Sequence, residues 1–161
     1  EGRPSVRTVL LRALDEGGFT FFTNLTSRKG RELTANPRAS LLFPWHPLGR
    51  QVIVEGPAAV VDAAASDAYW ATRPRGSQIA ALASPQSQVV ADRADLERRW
   101  SDVEAAHAGH DVPRPEHWGG IRVAHERVEF WQGRERRLHD RLVYERDPSR
   151  ETGWRVSRLA P

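Results

Sequence analysis

The chain has 161 residues, which suits one domain of ordinary size, and 39% hydrophobic and 28% charged residues are typical of a polar globular domain rather than a disordered chain. The absence of cysteine excludes disulfide scaffolds, iron–sulfur clusters, thiolate zinc sites and cysteine nucleophiles. No apolar run approaches the roughly 20 residues of a transmembrane helix and no signal-peptide pattern opens the sequence, so we expect a cytoplasmic protein and no membrane partner.

The basic residues are almost all arginine. There are 24 basic and 21 acidic residues, and the isoelectric point is near 10.1, while Lys29 is the only lysine. Arginine presents a planar fork of donors that suits phosphate and carboxylate groups. Because a nucleic-acid binder usually carries denser basic stripes with interleaved aromatic residues, the local arginine clusters favour small anionic ligands and no nucleic acid.

The first half of the chain has the composition of strands. A turn at residues 15–18 joins the first two strands into a hairpin, and Ser27 is a good N-cap for a helix over Arg28–Ala35 that ends before Pro37. The expected strands are residues 6–14, 19–24, 39–43 and 51–61.

The middle of the chain is helical and strands return after it. Residues 63–72 and 91–108 predict two helices, and residues 76–90 between them are irregular or short-helical. The later strands are expected at residues 121–123, 127–132, 138–145 and 154–159. This order predicts a mainly β protein with helices (α+β), a β-barrel with attached helices, in a single domain over residues 1–161.

The first candidate site is the start of the predicted helix at Ser27. Free backbone N–H groups, the helix dipole, a hydroxyl group and the cations of Arg28 and Lys29 meet there, which is what a phosphomonoester needs. Positive charge at a helix N-terminus is unfavourable unless an anion offsets it. The alternative is a capped helix with a solvated basic first turn.

The second candidate site follows the next helix. Arg73, Arg75, Tyr69 and Ser77 are close enough in sequence to surround another anion. A helix C-terminus stabilised by cations and followed by a turn explains the same residues.

The third candidate site is the segment from Arg137 to Arg141. If this segment is a strand, its period of two puts Arg137, His139 and Arg141 on one face, which should meet solvent or a ligand. A solvated edge strand is the alternative. The sequence shows no carboxylate pair for glycosidase chemistry, no Ser-His-Asp candidate and no histidine spacing typical of metal ligands, so we expect no metal site.

Twelve short motifs, in order along the whole chain, together resemble the pyridoxine/pyridoxamine 5′-phosphate oxidase family. They are RTVLL at 7–11, FTN at 22–24, SRKG at 27–30, LFPWH at 42–46, RQV at 50–52, SDAY at 66–69, RPRGSQ at 73–78, SPQS at 84–87, WGG at 118–120, EFWQG at 129–133, RLHDR at 137–141 and RLAP at 158–161. The resemblance implies a split β-barrel of Greek-key type that binds flavin mononucleotide (FMN), and a homodimer with FMN at the subunit interface.

The resemblance also implies which residues do what. The implied FMN-binding residues are Arg7, Thr8, Val9, Leu10, Arg12, Phe22, Thr23, Ser27, Arg28, Lys29, Gln51, Gln86, Ser87, Trp131 and Arg141. The implied substrate-binding residues are Arg12, Tyr69, Arg73, Ser77, Arg137 and His139, of which Arg137 and His139 are the catalytic pair that aligns the reacting carbon over the flavin.

The sequence departs from the family pattern at three positions. Arg12 stands where the family usually has a lysine that touches flavin and substrate, Phe22 where a tyrosine is common, and Leu82 in place of a tryptophan. Arginine keeps the charge but not the compact geometry of lysine, so Arg12 bears on substrate preference more than on flavin binding. The resemblance also implies that the sequence starts inside the family's usual length, after the family's N-terminal helix and first barrel strand.

The expected activity is therefore FMN-dependent oxidation of pyridoxamine or pyridoxine 5′-phosphate to pyridoxal 5′-phosphate, with oxygen reduced to hydrogen peroxide. Two alternatives stay open at the level of sequence. One is a related split-barrel flavin oxidase that acts on another substrate, of the phenazine type, and the other is a non-catalytic binder of flavin or pyridoxal phosphate.

Overall fold

The computed structural model describes residues 3–161 of the chain. These residues contain eight strands and four α-helices. The strands are β1 (Leu11–Asp15), β2 (Gly18–Asn24), β3 (Arg38–Trp45), β4 (Arg50–Val60), β5 (Trp118–Val123), β6 (Arg127–Gln132), β7 (Asp140–Arg146) and β8 (Trp154–Arg158). The helices are α1 (Arg28–Ala35), α2 (Ala63–Ala71), α3 (Arg75–Ala83) and α4 (Arg93–Ala106). The expected class, mainly β with helices, is confirmed. No helix within residues 3–161 is both long and apolar enough to cross a membrane.

The chain divides into two compact units that interleave in sequence. Unit 1 contains residues 3–13, Thr20–Asn36 and Val60–Arg122, and unit 2 contains Leu14–Phe19, Pro37–Ala59 and Val123–Pro161. Unit 1 therefore holds all four helices, and unit 2 holds most of the later strands.

Helix α1 in unit 1 begins and ends where its sequence predicts. The Ser27 side chain accepts a hydrogen bond from the Gly30 N–H, and Asn36 caps the other end directly before Pro37. The Ser27 hydroxyl group in turn donates to the Asn24 carbonyl oxygen at 2.6 Å, and Ser27 is fully buried. This capping ties the start of α1 to the end of β2.

The core of unit 1 is aromatic. Trp70, Ile79, Val112 and Trp118 form its buried centre, and the Trp70 indole N–H donates to the Val112 carbonyl oxygen at 2.8 Å. The side chains that pack against this centre are Phe22, Tyr69, Ala81, Leu82, Trp100 and Val103. Of these, Trp100 and Val103 belong to α4. Each aromatic side chain buries a large area, so a few of them can form the core of this unit.

Unit 2 is built on an antiparallel sheet in the order β3, β4, β6, β7, β8. Its register pairs Gln51 with Trp131 and Trp131 with Arg141. Directly paired residues of an antiparallel sheet point to the same face. These three residues therefore form one row across β4, β6 and β7, which we call the Gln51–Trp131–Arg141 row.

Several expected elements differ from the structure, and β5, for example, begins at Trp118 rather than at 121. β1 begins only at Leu11, and in the segment before it Ser5 and Arg7 both donate hydrogen bonds to Glu32 of α1. α3 is a regular helix within the segment expected to be irregular. β7 begins at Asp140 rather than at 138, after a 3₁₀ turn over Glu135–Arg137.

Candidate functional site

The start of α1 gathers polar groups around Lys29. Its ammonium group donates to the Thr23 hydroxyl oxygen at 2.9 Å, to the Gln86 side-chain oxygen at 3.1 Å and to the Ser27 hydroxyl oxygen at 3.4 Å. All three acceptors are neutral. Burial, and then the nearby charge of Arg7, lower the pKa of Lys29. An anion bound here would supply the negative charge that these partners lack.

Glu32 connects the other two cations of this region. Its carboxylate accepts from Arg28 Nε at 2.7 Å and from Arg7 at 2.9 Å. Hydrogen bonds from Ser5, Arg28 and Arg7 lower the pKa of Glu32 to about 2. One carboxylate on α1 thus holds together two guanidinium groups that would otherwise repel each other.

A stack of aromatic rings forms the second cluster of unit 1. Phe22 stacks on Tyr69 with ring centroids 4.1 Å apart and on Trp118 at 5.5 Å. Two arginines lie against this stack. The guanidinium carbon of Arg73 is 4.6 Å from the Trp118 centroid, and that of Arg12 is 5.6 Å from the Tyr69 centroid. Cation–π contacts of this kind fix a guanidinium group without using its N–H donors.

The donors of Arg73 are partly unused within residues 3–161. One terminal nitrogen donates to the backbone carbonyl oxygen of Ser77 at 2.7 Å, whereas the Nε atom is buried without a hydrogen-bond partner. Burial is the main cause that lowers the pKa of Arg73, and the charge of Arg12 acts in the same direction, opposed by Tyr69. A half-buried guanidinium group that has an unused N–H donor favours an anionic ligand at this position.

The Gln51–Trp131–Arg141 row is the candidate site of unit 2. The His139 ring lies against Trp131 with centroids 4.8 Å apart. A pocket at this end of the sheet is lined by Gln51, Trp131, Gln132 and Asp140, among other residues, and has a volume of about 370 Å³. Gln51 and Trp131 of the row line this pocket, whereas the Arg141 guanidinium group donates to Glu129 and to the Ala160 carbonyl oxygen.

The shared strand face predicted for Arg137, His139 and Arg141 is wrong. Arg136 and Arg137 have φ angles of 55° and 60°, in the left-handed region, so the backbone turns before β7 and the period of two does not reach back to Arg137. Arg141 lies in β7. His139 lies just before it, where Nδ1 accepts from the Arg134 N–H at 3.0 Å.

Left-handed backbone at residues other than glycine is confined to three positions among residues 3–161. These are Ser87, Arg136 and Arg137, and two of the three are residues that the sequence assigns to ligand binding. Such conformations cost roughly 1–3 kcal/mol and cluster at functional sites. The left-handed conformation of Arg137 is therefore consistent with a functional role for this residue, although Arg137 does not lie in a strand.

The remaining site residues also divide between the two units. Thr8, Val9 and Leu10 lie in the exposed or half-buried segment before β1, and Gln86 and Ser87 lie in the turn after α3. Unit 1 thus contains the residues assigned to phosphate groups, and unit 2 contains Gln51, Trp131, Arg137, His139 and Arg141.

Two family models match almost the entire chain. The model described as pyridoxamine 5′-phosphate oxidase matches residues 1–107, and the model described as the pyridoxine 5′-phosphate oxidase C-terminal dimerisation region matches residues 118–161. The chain belongs to the pyridoxamine 5′-phosphate oxidase family. This confirms the resemblance that the twelve motifs indicate.

The names of similar proteins agree with this assignment. The chain is 57% identical over 161 residues to a pyridoxine/pyridoxamine 5′-phosphate oxidase of Rubrobacter xylanophilus, covering 100% of this chain and 73% of the relative. It is 55% identical to the Burkholderia vietnamiensis protein of the same name, covering 100% and 75%.

Among solved structures, PhzG from Burkholderia lata 383 in complex with tetrahydrophenazine-1-carboxylic acid matches with a TM-score of 0.90 and 36% identity, covering 99% of this chain and 77% of that one. A pyridoxamine 5′-phosphate oxidase-related, FMN binding protein from Nostoc punctiforme shares the fold, with a TM-score of 0.74 and 17% identity over 99% and 82% of the chains. These matches confirm the split-barrel fold expected for the family.

Sequence reasoning missed three residues that shape these clusters. Glu32 and Glu129 each bind an arginine assigned to FMN, and the Trp118 ring carries Arg73. A signal was present for Glu32, because it lies four residues after Arg28 on a helix, whereas Glu129 and Arg141 lie on different strands. No sequence signal joins Trp118 to Arg73, which lie far apart along the chain.

Proposed function

We propose that the chain is an FMN-dependent oxidase that converts pyridoxamine 5′-phosphate or pyridoxine 5′-phosphate to pyridoxal 5′-phosphate, with reduction of oxygen to hydrogen peroxide. Family membership and the names of relatives more than 50% identical support this reaction. The structural observation that carries it is the Arg73 guanidinium group, which is held on Trp118 with a buried, unused Nε donor and so suits a substrate phosphate.

The residues at the start of α1 fit the phosphate of FMN. The helix has no acidic residue in its first turn, and Lys29 is surrounded by neutral oxygen atoms. A phosphate group would accept from Lys29 and from the N–H groups of the helix start, and Arg7 and Arg28 would add positive charge. The residues proposed to bind FMN are Arg7, Thr8, Val9, Leu10, Arg12, Phe22, Thr23, Ser27, Arg28, Lys29, Gln51, Gln86, Ser87, Trp131 and Arg141.

The protein contributes orientation and charge to the reaction. When bound, FMN supplies the hydride acceptor for the substrate carbon that bears the amine or alcohol. Tyr69, Arg73 and Ser77 hold the substrate phosphate, with Arg12 against Tyr69. Arg137 and His139 orient the pyridine ring and its reacting carbon. Arg141 would supply positive charge to the bound flavin.

The proposed assembly is a single FMN-binding domain over residues 1–161 that forms a homodimer. The match of residues 118–161 to a C-terminal dimerisation region supports the homodimer. In this proposal FMN lies at the subunit interface, the substrate is a small phosphorylated pyridine, and the protein acts in the cytoplasm.

The visible spectrum of the purified protein tests the proposal. We expect flavin absorption, and bleaching of that absorption when pyridoxamine 5′-phosphate is added without oxygen. A colourless protein that does not take up added FMN would contradict the cofactor. A flavin band that pyridoxamine 5′-phosphate and pyridoxine 5′-phosphate both leave unbleached would contradict the substrate.

The structural match to PhzG supports one second candidate, a flavin oxidase that acts on a phenazine-type carboxylate. The retention of Tyr69, Arg73 and Ser77, which suit a phosphate, favours the first candidate. Bleaching by a reduced phenazine carboxylate and not by the phosphorylated pyridines would reverse that preference.

A further inference from the structure

Glu129 is a buried carboxylate between two arginines. Its exposed fraction is 3%, its Oε1 atom accepts from Arg141 Nε at 2.7 Å, and its Oε2 atom accepts from Arg127 at 2.9 Å. Arg127 also forms an ion pair with Glu55 at 2.8 Å, so that acidic and basic side chains alternate from Glu55 to Arg141. Because an unpaired buried carboxylate is very costly, this arrangement holds Glu129 charged and in place.

The position of Glu129 connects this pair to the Gln51–Trp131–Arg141 row. Glu129 lies two residues before Trp131 on β6 and therefore points to the same face of the sheet. Arg141 is paired with Trp131 across the strands, so Glu129 reaches it diagonally. Arg141 also donates to the Ala160 carbonyl oxygen at 3.3 Å. Two bonds made within the protein thus fix the plane of the Arg141 guanidinium group.

We propose that Glu129 is a positioning residue, which acts through its ion pair with Arg141 to hold that guanidinium group in the Gln51–Trp131–Arg141 row, ready to bind FMN. The inference rests on the proposed function, since it takes FMN as the ligand of Arg141. A flexible arginine loses side-chain entropy each time it binds a ligand, and Glu129 removes that cost before binding.

The test is a double-mutant cycle on FMN affinity. The dissociation constant is measured by titrating apoprotein with FMN up to millimolar concentration and following the quenching of flavin fluorescence, for the wild type, E129Q, R141Q and the double variant. E129Q should raise the dissociation constant roughly tenfold in the wild-type background, the size of effect expected for one charge-assisted hydrogen bond, and should have no further effect in the R141Q background.

E145Q is the matched control. Glu145 lies on β7 and pairs with Arg155 at 2.7 Å, so this variant removes an ion pair of the same sheet at a site where both partners are exposed. E145Q should leave the FMN dissociation constant unchanged. If E129Q does not fold, E129D takes its place in the cycle, because it keeps the charge but is one methylene too short to hold Arg141.

Each outcome decides the proposal. An unchanged dissociation constant in E129Q overturns the positioning role, and so does an equal increase in both backgrounds, which would show that Glu129 acts on the fold and not through Arg141. Absence of FMN binding in the wild type would instead contradict the proposed function, so the two failures are distinguishable.

Discussion

The guanidinium carbon of Arg73 lies 4.6 Å from the centroid of the Trp118 ring and 5.4 Å from that of Trp70. The two indole rings thus hold the arginine that we assign to the substrate phosphate. R73A should raise the apparent KM for pyridoxamine 5′-phosphate roughly tenfold or more, because a charge-assisted hydrogen bond contributes about 1.5–3 kcal/mol. The dissociation constant of FMN should not change. Steady-state kinetics and FMN titration measure the two effects separately.

Arg75 offers a control in the same segment. Its guanidinium group donates to the carbonyl oxygens of His107 and His110, which follow the end of α4. R75A should lower thermal stability slightly and leave KM unchanged. An equal rise of KM in R73A and R75A would contradict the assignment of Arg73.

Arg12 should matter more for the substrate than for FMN. Its guanidinium carbon is 5.6 Å from the centroid of Tyr69, the ring assigned to the substrate phosphate. R12A should lower kcat/KM about tenfold, and R12K should lower it less, because lysine restores the charge but not the planar contact with the ring. A larger change in FMN affinity than in kcat/KM would contradict this expectation.

Glu32 should make stability depend on pH in the acid range. Hydrogen bonds from Ser5, Arg28 and Arg7 lower the pKa of Glu32 from 4.5 to about 2 in the folded protein. A lowered pKa means that the carboxylate stabilises the fold above the ordinary value and that this contribution is lost as the pH falls towards 2. The difference in Tm between the wild type and E32Q should therefore be full at pH 7 and shrink between about pH 4.5 and 2.

The pair of Glu97 with Arg93 is the control for that measurement. It has the same i, i+4 spacing and the same order of arginine and glutamate on a helix, and both side chains are largely exposed. E97Q should change Tm little at any pH, since exposed pairs contribute about 0–1 kcal/mol. A Tm difference for E32Q that stays constant from pH 7 to pH 2 would argue against the role of the carboxylate charge.

Gly120 has no side chain, and the aromatic stack of unit 1 occupies the space where one would lie. A Cβ atom there would lie 2.6 Å from Val61 Cγ2 and 2.8 Å from Phe22 Cε1. G120A should lower the free energy of unfolding by about 1–3 kcal/mol, the usual cost of overpacking, and should raise KM because Phe22 stacks on Tyr69.

Gly76 provides the comparison, because a Cβ atom built on it meets nothing within 4 Å. Since this glycine lies in α3, G76A should stabilise the protein by up to about 1 kcal/mol. Chemical denaturation of both variants tests the pair, and equal effects in the two would show that the Phe22 contact is unimportant.

Local features of the fold were predictable because short-range physics decides them. The limits of α1 follow from the Ser27 cap and from Pro37, and β6 lies at the expected residues 127–132. The segment from Arg137 to His139 was predicted wrongly, because the prediction used only the local alternation of side chains along a strand. Alternation of side chains does not reveal a left-handed turn at Arg136 and Arg137, which depends on contacts such as the bond from the Arg134 N–H to His139.

The sequence by itself determined the family, the class of fold, the capped helix start and the identity of the arginines assigned to ligands, since these depend on residue types in a recognisable order. Only the tertiary structure decided what holds those arginines: Arg73 on Trp118, Arg7 and Arg28 on Glu32, and Arg141 on Glu129. A guanidinium group at the end of a long, flexible side chain has no fixed direction until residues distant in the chain are packed around it.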